Sequence, residues 1–473
     1  VAGDSPSNHV AINAAISFLG GARKLTVLPG SYGLSARIEI DQDNQIVDGV
    51  WRTAEFYKMA GYTHTTPMVE ARLGTTGVGI IGLKLDGRDT GMGPAILVRG
   101  DHCSVIGNEV YNHGSNAAGF PVGNAIYLDG ELASSGYIEG SIVTGNYVHD
   151  GLGCGTAQYH SKRAKICGNK YENLGLEGVT CDRTATEGTI IDGNHITNVC
   201  TAAGVGGIGL DGSCDVIVRS NHIDGTSVGS LSGVAAPGIG FQNNLGDTSN
   251  VQICGNTIKN AASYGIHCRT TGANAAGPGG TTVNVFIDGN ICLDNAFGSV
   301  KADAGTTGTL GKNIYDGVPP DVPNTWPGRE IAFKVHQSAA LSGITGDFTA
   351  YVIPYNAEVI DKGGCIALGV FTAPRPGIYA FAAGCQVRDV AADHTDMELS
   401  IVPSAGAVFR AKERLGGAGS YGATVSALIE LAAGATVHVA VRVGGGANGK
   451  QVDINSADSA YNYFWGRIVV ETA

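Results

Sequence analysis

Between Val105 and Cys292 one short hydrophobic and polar phrase recurs seven times: a β-branched residue, any residue, Gly or Ser, Asn, any residue, then a mostly apolar one. It reads VIGNEV from Val105, VTGNYV from Val143, ICGNKY from Ile166, IDGNHI from Ile191, VRSNHI from Val218, ICGNTI from Ile253 and IDGNIC from Ile287. The anchoring residues are Asn108, Asn146, Asn169, Asn194, Asn221, Asn256 and Asn290, at steps of 38, 23, 25, 27, 35 and 34 residues. A short period with loop insertions, built from strand-like phrases and turn residues with no helical spacing, predicts a parallel β-helix.

A second strand per coil gives a second stack: Ala95, Ala125, Thr156, Gly178, Gly207, Gly238, Gly265 and Ser299 open the segments AILVRG, AIYLDG, TAQYHS, GVTCDR, GIGLDG, GIGFQN, GIHCRT and SVKADA. Alternation with period two sends one set of side chains inward. The inner rows then read Ile96, Ile126, Ala157, Val179, Ile208, Ile239, Ile266, Val300 and Val98, Leu128, Tyr159, Cys181, Leu210, Phe241, Cys268, Ala302. Four residues after each anchoring Asn come Asn112, Asp150, Asn173, Asn198, Gly225, Asn260 and Asp294, types that tolerate a left-handed backbone and bond along a stack. Both Asn columns are read as structural.

Before the coils, residues 1–50 form a cap, with Val10, Ala11, Ala14, Ala15, Phe18 and Leu19 at helical spacing and a strand and turn from Lys24 to Tyr32. The coils occupy 51–305. The Pro-rich stretch KNIYDGVPPDVPNTWPGRE places a linker over 306–330, and alternating segments such as TVHVAVRV from Thr436 predict antiparallel strands over 331–473. The fold class is all-β.

Two resemblances sharpen this. AINAAISFLGG followed by LTVLPGSYGLS is similar to the opening of right-handed parallel β-helix proteins of the phage tailspike and polysaccharide lyase type. FTAPRPGIYAF from Phe371 and YFWGRIV from Tyr463 resemble the globular domain of the C1q family. That second resemblance implies a C1q/TNF-like jelly roll that assembles as a homotrimer.

Composition narrows the partners. The formal charge is −12 with no basic stripe, which argues against nucleic acid. No apolar run reaches the roughly 20 residues of a membrane-spanning helix, and the chain opens at Val1 without a secretory signal, so a trimmed chain or a non-standard export route is expected. Eleven cysteines, odd in number and never spaced as CxxC, read as small buried hydrophobes.

Outward positions of the second stack make two columns. The first contains Tyr127, Gln158 and His267; the second reads Arg99, Asp129, His160, Asp182, Asp211, Gln242, Arg269 and Asp303. With rungs about 4.8 Å apart, His160 falls between Asp129 and Asp182, and Asp211 follows. Asp129-Gly130 and Asp211-Gly212 are also turn signals. The catalytic candidates are His160, Asp182, Asp211 and Asp129. Arg99, Tyr127, Gln158, Arg183, Gln242, His267 and Arg269 are the substrate-binding candidates.

Three chemistries fit these groups. Asp182 with Asp211 approaches the ~5 Å of a retaining glycoside hydrolase, and Asp129 with Asp182 the 6.5–9.5 Å of an inverting one. On a uronate, His160 takes the C5 proton while Arg183, Arg99 or a bound cation neutralises the carboxylate. GTAQYHSKRAKICGNKYENLGLEGVTCD, from Gly155, also resembles the catalytic region of mannuronan C5-epimerases: His160 and Asp182 match its His and later Asp, while Gly155 and Gln158 replace its Tyr and first Asp. The expectation is a tailspike-like homotrimer, extracellular or on a virion, that binds and depolymerises a bacterial surface polysaccharide. It needs no cofactor, Ca²⁺ being the optional cation. The alternatives are a free secreted lyase or C5-epimerase and a non-catalytic glycan-binding adhesin.

Overall fold

The computed structural model describes residues 8–21, 23–62, 65–88, 93–114, 123–131, 136–182, 186–229, 235–243, 246–269, 280–316, 320–323, 326–328, 330–446, 449, 451–455 and 461–472. The chain divides into two compact units, 1–323 and 324–473.

The first unit is a right-handed parallel β-helix of three sheets. One sheet has eleven strands, from Lys24–Thr26 to Gly308–Leu310; the second has eleven, from Gly30–Leu34 to Ile314–Tyr315; the third has ten, from Ile38–Ile40 to Gly298–Ala302. Helix Asn8–Leu19 precedes them. A coil such as Lys165–Cys167, Lys170–Leu174 and Val179–Asp182 contributes one strand to each sheet.

The recurring phrase makes the corner between the first two sheets. Its Gly, or Ser220, has positive φ (62° at Gly168, 54° at Ser220), which turns the chain within one residue and aims the next Asn inward. Each Asn side chain accepts from the backbone N–H and the amide of the preceding Asn: Asn169 N and Nδ2 each lie 3.0 Å from Asn194 Oδ1, and Asn194 Nδ2 lies 2.9 Å from Asn221 Oδ1. The ladder runs unbroken from Asn108 to Asn290 and ends on Asn313, within a phrase LGKNIY that also folds as a corner. The second Asn/Asp column is left-handed throughout, φ 49–54°, with Gly225 at 79°, and bonds along the stack through pairs such as Asn198 to Asn173 at 2.8 Å.

The interior is a column of apolar rows, Ile96, Ile126, Val179, Ile208, Ile239 and Ile266 all being fully buried. Cys181, Cys268 and Cys292 lie in it as small hydrophobes, and all eleven cysteines are free. Dithiothreitol should therefore leave the thermal unfolding midpoint unchanged; a fall on reduction would expose a cross-link and contradict this packing.

The second unit consists of a seven-stranded and a six-stranded antiparallel sheet enclosing one core. The residues of the FTAPRPGIYAF and YFWGRIV segments meet there: Phe333 packs 5.2 Å from Phe371 and 4.8 Å from Phe464, and Phe371 lies 5.2 Å from Phe381. Buried Arg375 ties the segment down by donating to the Trp326 carbonyl and to Glu471. Among the described residues, no helix is long and apolar enough to cross a membrane.

Candidate functional site on the outer face of the third sheet

Parallel pairing sets which side chains share the face. In Ile126–Asp129, Thr156–Tyr159, Val179–Asp182 and Ile208–Asp211 the final residues pair rung to rung, so Asp129, Tyr159, Asp182 and Asp211 form one outward column. One strand thus differs from the sequence expectation by a single residue. Thr156 and Gln158, not Ala157 and Tyr159, point inward, and a one-residue slip exchanges faces for a whole strand. The slip is stable because both inward polar groups are satisfied. Thr156 Oγ1 bonds Tyr171 Oη at 2.7 Å, while Gln158 Nε2 lies 2.7 Å from Cys181 Sγ and 3.2 Å from Thr189 Oγ1. Gln158, fully buried, is therefore a core residue and not a substrate contact.

His160 moves out of the column to the corner position occupied by Gly130 one rung before it and by Gly212 two rungs after it, with φ 48°. Its carbonyl accepts from Ile138 N at 2.9 Å. Its Nδ1 is buried without a hydrogen-bond partner among the described residues. His160 thus does not stand between Asp129 and Asp182; Tyr159 does.

Asp182 is the centre of the column. It is partly buried, accepts from Thr180 Oγ1 at 2.9 Å and from the Tyr159 phenol, and has Asp211 on the next rung. Burial, then the neighbouring Glu177 and Asp211 charges, push its carboxyl up to about 7 against the stabilising hydrogen bonds. Glu177 escaped the sequence reading. It is buried, receives Val205 N at 2.7 Å and Cys154 Sγ at 3.3 Å, and its own carboxyl is pushed up by burial.

Gly209 explains how Glu177 reaches the face. A Cβ there would stand 2.7 Å from Val205 Cγ2, 3.3 Å from Glu177 Cγ and 3.5 Å from Thr180 Oγ1. At Gly240 a Cβ would stand 1.8 Å from the Val205 carbonyl oxygen. The segment around Val205 therefore lies directly on the sheet at these two glycines, closing one end of the face.

Toward the other end the face carries a chain of paired polar groups. Asp129, 5% exposed, accepts from Arg99 Nε at 3.1 Å and Nη2 at 3.0 Å and caps the turn at Glu131 N, as its Asp-Gly pair signals. Arg99 continues to Glu70 at 3.4 Å, and Glu70 to Arg37 at 3.0 Å. Tyr127 is outward and packs edge-on against Tyr159 at 5.6 Å.

His267 and Arg269 belong to a separate group beyond the Val205 segment: His267 Nε2 lies 3.2 Å from Asp303, and Arg269 Nε lies 3.2 Å from His267 Nδ1. Burial lowers the Arg269 pKa from its ordinary value. Gln242 follows Asp211 on the partly exposed edge of the column, its N–H bonded to the Leu210 carbonyl at 2.9 Å. Arg183 lies outside the described residues. Among the described residues, no group of three or more His, Cys, Asp or Glu side chains is arranged to hold a metal ion.

Tyr159 had a usable signal. The spacing from Asn146 to Thr156 equals that from Asn169 to Val179, so counting from the anchors places Thr156, not Ala157, beside Val179. Glu177 had none, because its relation to the face depends on a loop from the next coil.

No family model and no curated protein sequence matches the chain. Solved structures similar to it include the A-module of the Azotobacter vinelandii mannuronan C-5 epimerase AlgE4, with 19% identity, 69% of this chain and 95% of that one covered, and a TM-score of 0.42. Endopolygalacturonase I from Stereum purpureum shows 16% identity over 66% of this chain and 95% of that one, at a TM-score of 0.46. Tailspike protein gp49 from the Acinetobacter baumannii bacteriophage Fri1, a capsular polysaccharide depolymerase, shows 11% identity over 94% of this chain and 83% of that one, at 0.37.

Proposed function

We propose that the outer face of the third sheet binds and hydrolyses a bacterial surface polysaccharide, with Asp182 as the proton donor and Asp211 as the nucleophile. The observation that carries this is the pairing itself: a carboxyl whose pKa is raised to about 7 stands one rung from a second carboxylate. A carboxyl held protonated beside a second carboxyl one rung away is the equipment of glycoside hydrolysis.

A rung step of about 4.8 Å is close to the ~5–5.5 Å separation of a retaining pair. Asp182 gives its proton to the glycosidic oxygen as the C1–O bond breaks, and an Asp211 oxygen bonds to C1. Water, deprotonated by Asp182, then attacks C1 and releases Asp211. The Tyr159 phenol orients Asp182, and Arg99 holds the Asp129 side chain turned aside. In this reading the chain acts as a tailspike-like homotrimer outside the cell or on a virion, with the second unit joining the subunits.

The test is incubation with capsular and exopolysaccharides, following new reducing ends and the ultraviolet absorbance of unsaturated uronates. Reducing ends without absorbance are expected, lost in Asp211→Asn and retained in His160→Ala. Unsaturated product would replace this reading by a lyase. A polymer that is bound but not cut would replace it by an adhesin. Sedimentation equilibrium is expected to return three times the 48.3 kDa chain mass.

A further inference from the structure

A cleft of about 320 Å³ lies between helix Asn8–Leu19 and the first rungs of the third sheet, walled by His9 and Asn13 from the helix, Arg37 and Glu39 from the sheet, and Tyr62 and Thr66 from the following connection. Its walls are fixed. Asn13 Nδ2 donates to the Arg37 carbonyl at 3.1 Å, Asn13 Oδ1 accepts from Glu39 N at 2.9 Å, and the Tyr62 hydroxyl donates to the Pro67 carbonyl. A preformed cleft loses little entropy on binding, and its volume is at the small end of the roughly 300–1,000 Å³ range of ligand sites, enough for one sugar ring.

The cleft belongs to the same face as Asp182. Glu39, Glu70, Leu97, Tyr127, Ala157 and Thr180 pair rung to rung, so five steps, or about 24 Å, separate Glu39 from Thr180. The Val205 segment closes the face over Gly209 and Gly240. Away from that segment, the Asp129–Arg99–Glu70–Arg37 ion-pair chain runs along the face from the rungs next to Asp182 to the cleft.

Charge selects the occupant. Arg37 is matched by Glu39 and Glu70, and Arg72 by Glu39 at 3.5 Å, so these two guanidinium groups of the described residues are already paired with carboxylates. A guanidinium beside a carboxylate still offers spare donors next to spare acceptors, the complement of adjacent hydroxyl groups.

Resting on the function proposed above, we propose that this cleft is a remote subsite for a neutral, hydroxyl-rich sugar of the same chain that is cut at Asp182. The protein thereby reads its polymer several residues away from the scissile bond.

The test fills the cleft from two sides with Ala36→Trp and, separately, Thr66→Trp, each checked for an unchanged thermal midpoint. KM is measured on the polymer and on a trisaccharide of the same repeat, which is too short to span the distance. The ratio of polymer KM to trisaccharide KM should rise about tenfold, with polymer kcat unchanged, as expected for loss of uniform binding. An unchanged ratio in both folded variants overturns the subsite while leaving the hydrolase reading intact. If the wild type cuts nothing that it binds, the hydrolase reading fails and polymer Kd decides alone: about a tenfold loss in the variants keeps the subsite, and equal Kd overturns it.

Discussion

Asp182→Asn should lower polysaccharide turnover by about 10²–10⁴-fold, the usual contribution of a positioned general acid, while leaving polymer binding within about twofold. The variant keeps the shape and the contact with Thr180 but has no proton of suitable acidity to give. In the wild type the acid must be protonated, so activity should fall as pH rises through about 7, where the Asp182 carboxyl titrates. Glu177→Gln tests the cause. It removes one of the charges that raise Asp182, so the alkaline limb should move to lower pH.

Stability must follow the same proton. Between the ordinary Asp range and about 7 the folded chain holds a proton at Asp182 that the unfolded chain has released, so this group's contribution falls as pH rises through that window. Asp182→Asn should therefore be relatively more stable than wild type at pH 8 than at pH 4. Thermal unfolding at the two values, beside kcat and KM profiles, checks both statements. An unshifted alkaline limb in Glu177→Gln would remove Glu177 from the account, and full activity in Asp182→Asn would remove Asp182.

Asn194→Ala should destabilise the β-helix by about 3–5 kcal/mol, since it orphans several buried groups at roughly 1–3 kcal/mol each. Asn194 Oδ1 accepts from Asn169 N and Nδ2, and Asn194 Nδ2 donates to the Ile166 carbonyl at 2.9 Å and to Asn221 Oδ1. Asn194 and Asn169 are each 1% exposed, so water cannot replace the lost partners without opening the corner. By contrast, Asn198→Ala on the exposed column removes bonds that water can replace, and should cost about 1 kcal/mol. Denaturant titrations of both variants measure the difference. Equal losses would show that the inner ladder is held by the strands and not by its amides.

Much of this fold is legible in the amino-acid sequence. The recurring Gly-Asn phrase locates the corners because a positive φ and an inward amide are demands that few residue types meet, and φ values of 62–64° at Gly168, Gly193 and Gly255 agree with that. The apolar rows follow from alternation, and Asp182 opposite Asp211 follows from the rows. The corner at Asn313 is hidden within a Pro-rich stretch, since one phrase alone is a weak signal.

The chain's own pattern thus determined the coil, its ladder and the adjacency of Asp182 to Asp211, because each depends on residue types that repeat at nearly fixed spacing. Tertiary structure decided the rest of the site. Alternation assigns a polar side chain to the outside by default, whereas Gln158 turns inward because Thr189 and Cys181 receive it there, and that turns Tyr159 outward onto Asp182. Glu177 enters the site only because Gly209 leaves room for the Val205 segment that holds it. Whether a buried polar group is satisfied is a property of its distant partners, and these are known only once the coils are stacked.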